Sequence, residues 1–251
     1  MKDAHYQTIY DTEVSHWWYR VRRKIVHDLI WKYFPHGRDL KILDIGCGAC
    51  LLAKELEVYG EVSGLDVSPM AIEFCRERGV LQVVHGSAER IPFGDRSFDL
   101  ILALDVIEHI EDDRRALQEI YRVLKPGGVA IIFAPAFNLL WGVSDELSNH
   151  YRRYTIKELR KKIRESGFEI ARLSYFNFFL FVPIALVRLA ARLFRLSIES
   201  ENTIGSALIN SMLYKIFNLE SKMLKYINVP FGVSILAVCR KPHYNNTAQD
   251  D

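Results

Sequence analysis

An apolar stretch from Lys41 to Ile45 runs straight into Gly46-Cys47-Gly48 and then into a helix-like segment from Ala49 to Tyr59. Two glycines one residue apart let a strand turn into a helix over a few residues, because they accept backbone angles closed to other side chains and leave the main chain bare for a ligand. A joint of this kind restricts the chain to α/β architectures with ligands beyond the carboxyl ends of parallel strands. The downstream pattern agrees: strands are predicted near 61–66, 81–85, 98–104 and 128–134, with helical segments between them.

The residues around the turn narrow its ligand. A dinucleotide fingerprint needs a third glycine at 51, where Leu51 stands. Asp44, two places before Gly46, would repel a pyrophosphate but suits the methionyl ammonium of S-adenosylmethionine. Asp66 ends the second predicted strand, twenty residues past Gly46, where a carboxylate accepts both hydrogen bonds of a ribose diol. Then follow Gly86-Ser87-Ala88-Glu89-Arg90-Ile91-Pro92-Phe93, the run Ser97 to Ile110 containing Leu104-Asp105-Val106-Ile107-Glu108-His109, and Leu124-Lys125-Pro126-Gly127-Gly128.

This ordered series, over roughly Lys41 to Phe168, resembles the class I S-adenosylmethionine-dependent methyltransferases that act on small molecules. The resemblance implies a Rossmann-like, doubly wound sheet of seven strands, mostly parallel, with an antiparallel seventh strand inserted between the fifth and sixth. It implies S-adenosyl-L-methionine as cofactor, held by Asp44, Gly46, Cys47, Gly48, Asp66, Val67, Ser87, Ala88, Leu104 and Asp105. Two positions depart from the pattern: Cys50 stands where a third glycine is common, and Ser87 where an aspartate often meets the adenine amino group.

The sixth strand is expected from Phe168 and the seventh over Gly232 to Cys239. The organisation that follows is an N-terminal helical cap (1–40), a cofactor-binding core (41–176 and 231–242), a hydrophobic helical insertion (177–230) and a tail (243–251), of which Asn245 to Asp251 reads as disordered. Within the insertion, Phe178 to Val187 is densely apolar and Arg188, Arg192 and Arg195 share a helical face; Gly205 to Asn228 reads as a second amphipathic helix. The first run is too short to span a bilayer, for which about 20 apolar residues are needed. Two readings stand: a helical hairpin forming a substrate lid, or a membrane-facing surface. Both favour an apolar or lipid-linked acceptor.

In the cap, Trp18 and Tyr19 are candidate walls of the acceptor chamber, and Arg22 or Arg23 a partner for the methionyl carboxylate. Tyr151 and Arg153, after the fifth strand, are further acceptor-side candidates. Methylation at oxygen needs a base, for which His109 is the first candidate and His150 the alternative. No metal is expected, with Asp105, Glu108 and His109 as the alternative ligand set and His150 as a fourth ligand to it.

A hydrophobic share of 49% with 25% charged residues predicts a packed core, and a net charge of +2 carries no nucleic-acid signal. RNA methylation and a non-catalytic cofactor-binding module remain as alternatives. The first residues lack the apolar segment of a cleavable signal, so a cytoplasmic placement is expected, with peripheral membrane contact as an option. Cys47, Cys50, Cys75 and Cys239 show no disulfide framework, which suits a reducing compartment. Cys47-Gly48-Ala49-Cys50 also mimics a thiol–disulfide oxidoreductase motif, a reading that leaves Asp66 unexplained.

Overall fold

The computed structural model describes residues 3–80, 82–194 and 206–243, so the expected tail from Asn245 and Arg195 lie outside the described residues, as does the side chain of Arg192. Seven strands form one sheet in the order β3-β2-β1-β4-β5-β7-β6. Strands β1 (Leu40–Ile45), β2 (Gly60–Asp66), β3 (Val83–His85), β4 (Phe98–Leu104) and β5 (Leu124–Pro135) are parallel neighbours. Strand β7 (Ser234–Arg240) runs antiparallel to both β5 and β6 (Glu169–Phe176). This is the mostly parallel sheet with an inserted antiparallel seventh strand that the motif series implied.

Central strands are apolar on both faces because helices cover both. Ile42, Leu43, Leu100, Ile101, Ile132 and Phe133 have essentially no exposed surface. The helices are set by local signals. Helix α4 (Pro69–Glu77) follows Ser68, whose hydroxyl accepts from the Ala71 amide, with proline at the first position. Helix α5 (Asp113–Val123) is capped by Asp112, and α7 (Ile156–Glu165) by a reciprocal box in which Thr155 accepts from Glu158 N and Glu158 accepts from Thr155 N. Each turns one apolar stripe to the sheet.

Some boundaries differ from expectation. The helix after the glycine turn, α3 (Leu51–Leu56), starts two residues late because Cys50 is left-handed, and it tightens into a 3-10 turn at Glu57–Tyr59. Lys125-Pro126-Gly127-Gly128 lies inside β5 rather than before it. There the register with β4 slips between Phe98 and Leu100, and Gly127 takes a φ of +79°.

The outer helices decide how the cavity is roofed. Helix α1 (Asp3–Thr12) leans on α4, with Tyr10 stacked on Phe74 at 4.3 Å. Helix α2 (Trp17–Tyr33) buries Val21, Ile25, Val26, Leu29 and Ile30 on the sheet. Helix α9 (Ala207–Leu224) packs along α2: Asn210 Oδ1 accepts from Trp17 N at 2.9 Å, Lys225 pairs with Asp28 at 2.7 Å, and Arg20 lies over the Tyr214 ring at 4.1 Å. Helix α8 (Phe181–Phe194) instead sits against the turn Asn138–Leu140. Among the described residues the two insertion helices thus dock chiefly on different parts of the core, α9 along α2 and α8 at Asn138–Leu140.

Trp18, Phe217 and Phe176 form a parallel stack that joins α2, α9 and β6, with centroids 5.3 and 5.9 Å from Trp18. Phe217 is fully buried. Phe217→Ala is expected to lower the unfolding free energy by about 3 kcal/mol, read from urea denaturation.

Candidate active site

The carboxyl edge of β1, β2 and β4 opens into a cavity of about 1000 Å³, floored by the glycine turn and roofed by α1, α2, α8 and α9. Gly46, Gly48 and Cys50 have φ of +66°, +54° and +61°. All three positions are ones that favour glycine, which gives the Cys50 departure a physical meaning: it carries a side chain in the left-handed region. A Cβ at Gly46 would strike Val106 Cγ2 at 2.6 Å, whereas one at Gly48 would meet nothing nearer than 3.9 Å. The second glycine therefore leaves space over the main chain on the cavity side.

Two carboxylates frame that space. Asp66 accepts from Gly48 N at 3.0 Å, Ser68 N at 2.9 Å and the Tyr6 hydroxyl at 3.0 Å. Asp44 is buried, and burial together with the charges of Asp66 and Glu13 pushes its carboxyl up to about 7 against the opposing pull of Arg22. Glu13, also buried and lining the cavity, is raised to about 7 by burial in spite of Arg78 and Arg23. A cavity with this excess of acid over base suits a ligand that brings positive charge and a diol. The residues present thus fit S-adenosylmethionine.

Every residue expected to touch the cofactor lines this one cavity, namely Asp44, Gly46, Cys47, Gly48, Asp66, Val67, Ser87, Ala88, Leu104, Asp105 and Arg22. Arg22 does not stand open for a carboxylate: it is paired with Asp105 at 2.5 Å. Ser87 exchanges hydrogen bonds with Glu89. Trp18 and Tyr19 line the cavity as well, and burial raises the Tyr19 hydroxyl to about 12. Tyr6 was not foreseen, since nothing local marks a tyrosine sixty residues from the carboxylate it reaches.

On the acceptor side, His109, His150, Tyr151 and Arg153 all line the cavity. Tyr151 N donates to the Glu108 carbonyl at 2.8 Å, which draws the loop after helix α6 (Val143–Leu147) over the end of β4. Asp145, in α6, is the organising group that sequence reading missed. Its Oδ1 lies 2.8 Å from His150 Nδ1, and both of its oxygens accept from Arg153, at 2.8 and 2.9 Å. Burial would raise this carboxyl, but the His150 hydrogen bond and the Arg153 charge outweigh it and hold it near 2. Arg153 is therefore a buried brace for Asp145 rather than an exposed acceptor contact.

Glu108 is fully buried and neither carboxylate oxygen has a hydrogen-bond partner; burial and then Asp105 push its carboxyl well up. Ligand atoms of Glu108, His109 and His150 lie within 4.8 Å of one another. Asp105 is not in that group, since its backbone is left-handed and its carboxylate pairs with Arg22, so of the four alternative ligands the structure brings together Glu108, His109 and His150.

The cysteines also depart from expectation. Cys50 and Cys75 form a disulfide with a Cα separation of 5.0 Å, and Cys47 Sγ lies 3.7 Å from Cys75 Sγ. The bond joins the start of α3 to α4, a tertiary pairing that spacing alone does not reveal. It also leaves Cys47 and Cys50 unbonded to each other, unlike an oxidoreductase motif.

Residues 43–132 match the family model for a methyltransferase domain. A probable S-adenosylmethionine-dependent methyltransferase of Mycolicibacterium smegmatis is 30% identical over 174 residues, which is 65% of this chain and 64% of that protein. The demethylmenaquinone methyltransferase of Chlorobaculum tepidum is 38% identical over 107 residues, covering 41% of this chain and 44% of that enzyme. The chain thus spans less than two thirds of either relative. Among solved structures, a possible histamine N-methyltransferase of Thermotoga maritima superposes with a TM-score of 0.59 at 20% identity, over 95% of both chains. That likeness shows the shared fold.

Asp66→Ala is expected to weaken S-adenosylmethionine binding at least about tenfold, the loss of one charged hydrogen-bond acceptor, measured by titration calorimetry. The raised Asp44 carboxyl sets a pH dependence. Its folded value lies above its unfolded one, so its contribution to the stability of the cofactor-free protein is complete below about pH 4 and is lost as pH rises through about 7. A cationic ligand favours the ionised form, so affinity is expected to rise about tenfold from pH 6 to pH 8, with proton release on binding at pH 6 seen as a buffer-dependent heat.

Proposed function

We propose that the chain is a class I S-adenosylmethionine-dependent methyltransferase and that it methylates an oxygen of a small apolar or lipid-linked acceptor. The observation that carries this reading is the Asp145–His150 pair, at 2.8 Å, in the same cavity as Asp44 and Asp66. S-adenosylmethionine, when bound, supplies a methyl group on a cationic sulfur that is its own leaving group. Asp66, which accepts from the Gly48 amide, would hold the ribose and Asp44 the ammonium, and Arg22 would meet the carboxylate only on leaving its pair with Asp105; Ser87 and Ala88 would border the adenine, with Val67 and Leu104 beside it.

With cofactor and acceptor confined to one cavity, orientation supplies much of the rate. The remaining chemical need is removal of the hydroxyl proton. Asp145 stays ionised and accepts the hydrogen bond of His150 Nδ1–H, which leaves Nε2 with its lone pair as the base. Arg153 keeps Asp145 in register through two parallel hydrogen bonds. His109, whose ring packs edge-on to His150 at 4.5 Å, limits the tilt of the base.

The acceptor's apolar part has a matching wall in Leu180, Ile184 and Val187 on one side and Trp18 and Leu213 on the other. The demethylmenaquinone methyltransferases among the relatives, which match 41% and 36% of the chain, support a lipid-like acceptor.

His150→Ala is expected to keep cofactor affinity within about twofold and to lower turnover by about a hundredfold or more, assayed with radiolabelled cofactor and a lipid extract as acceptor source. An unchanged rate would remove His150 as base. Label appearing in RNA instead of the organic phase would move the acceptor to another class.

A further inference from the structure

Helix α8 is inverted with respect to the usual surface helix. Its described charge, Arg188, points inward: the side chain is 7% exposed, donates to the Leu140 carbonyl and lies 3.7 Å from Asp145. The opposite stripe, at i, i+4 and i+7 spacing, is Val182, Leu186 and Leu189, exposed by 56%, 61% and 48%. Leu139, in the turn that α8 packs against, is 70% exposed and extends the same surface. A helix of a water-facing surface places its charges and apolar residues the other way round.

We infer that this face of α8 docks the protein on a lipid surface and that the acceptor enters the cavity from that surface. The inference takes the apolar acceptor from the proposed function. Val187 connects the two parts of the argument, since it is 58% exposed and also lines the cavity, as Ile209 of α9 does from across the opening at 48% exposed. The docking stripe and the mouth of the cavity are thus one continuous apolar surface.

Size and length select the occupant. With about half of each of these side chains open, the α8 surface is on the order of 500 Å², more than scattered surface residues give but below the roughly 800 Å² per partner of a stable dimer. No helix among the described residues is long and apolar enough to cross a membrane. A helix of 14 residues extends about 21 Å and would lie in the plane of the interface, its apolar stripe in the acyl boundary. Because the stripe carries no charge, binding does not depend on anionic lipid.

The test is flotation of the full chain with phosphatidylcholine vesicles, and with vesicles containing one quarter phosphatidylglycerol. Val182 and Leu186 do not line the cavity, so the double variant Val182→Glu/Leu186→Glu keeps its cofactor affinity and its thermal midpoint. The wild type is expected to float with both vesicles to a similar extent, and the double variant at least about tenfold less. A wild type that stays unbound, or a double variant that floats equally, overturns the inference. So does a wild-type dimer that the same variant splits into monomers in sedimentation velocity, which would give the face to a second copy. Cofactor binding without flotation rejects the docking alone, and flotation without cofactor binding rejects the proposed function alone.

Discussion

The structure is organised around buried acid at the end of a glycine turn. Asp44 and Asp66 sit at the carboxyl ends of adjacent parallel strands, with Glu13 brought over them by the N-terminal segment. Parallel packing makes this crowding unavoidable, because neighbouring strands end at the same level and their terminal side chains face one opening. The cations nearby are already paired: Arg22 with Asp105, Arg23 with Glu55 and Arg78 with Glu13. What relieves the crowding in the cofactor-free protein is a raised carboxyl at Asp44 and a set of hydrogen bonds to Asp66. A cationic ligand relieves it better, so the protein's electrostatics and its cofactor preference have one origin.

The part of the cavity around His150 is built on a different principle. There a single ionised carboxylate, Asp145, collects His150, Arg153 and the Gly142 amide into one buried network. A fully satisfied network of this kind is rigid, and it holds the imidazole where a loop alone would not. It also couples to the roof, since Arg188 of α8 reaches the same carboxylate. The proposed base and the proposed lipid-facing helix are therefore joined through one carboxylate. This explains why α8 turns its arginine inward and leaves its apolar residues outside.

Legibility in the sequence followed the range of the interaction that fixes each feature. Strand β4 was read at its observed limits because the pattern that marks a strand is local. The place of Asp44 and Asp66 at the cavity was readable because each lies at a strand end. Asp145, Tyr6 and Arg188 were not, for their partners are reached only when distant segments meet. The Cys50–Cys75 bond and the pairing that draws Asp105 out of the carboxylate–imidazole cluster belong to the same class.

The amino-acid sequence by itself determined the sheet, its ligand edge and the methyl donor, since these depend on residue periods and on a glycine spacing within one strand–turn–helix unit. Only the tertiary structure decided which histidine has a carboxylate behind it, where the insertion helices dock and which side of α8 meets the surroundings. Those outcomes rest on contacts between residues far apart in the chain. The geometry of such contacts comes from the packed core, because a side chain's type names its chemistry but not the neighbour that the folded chain places against it.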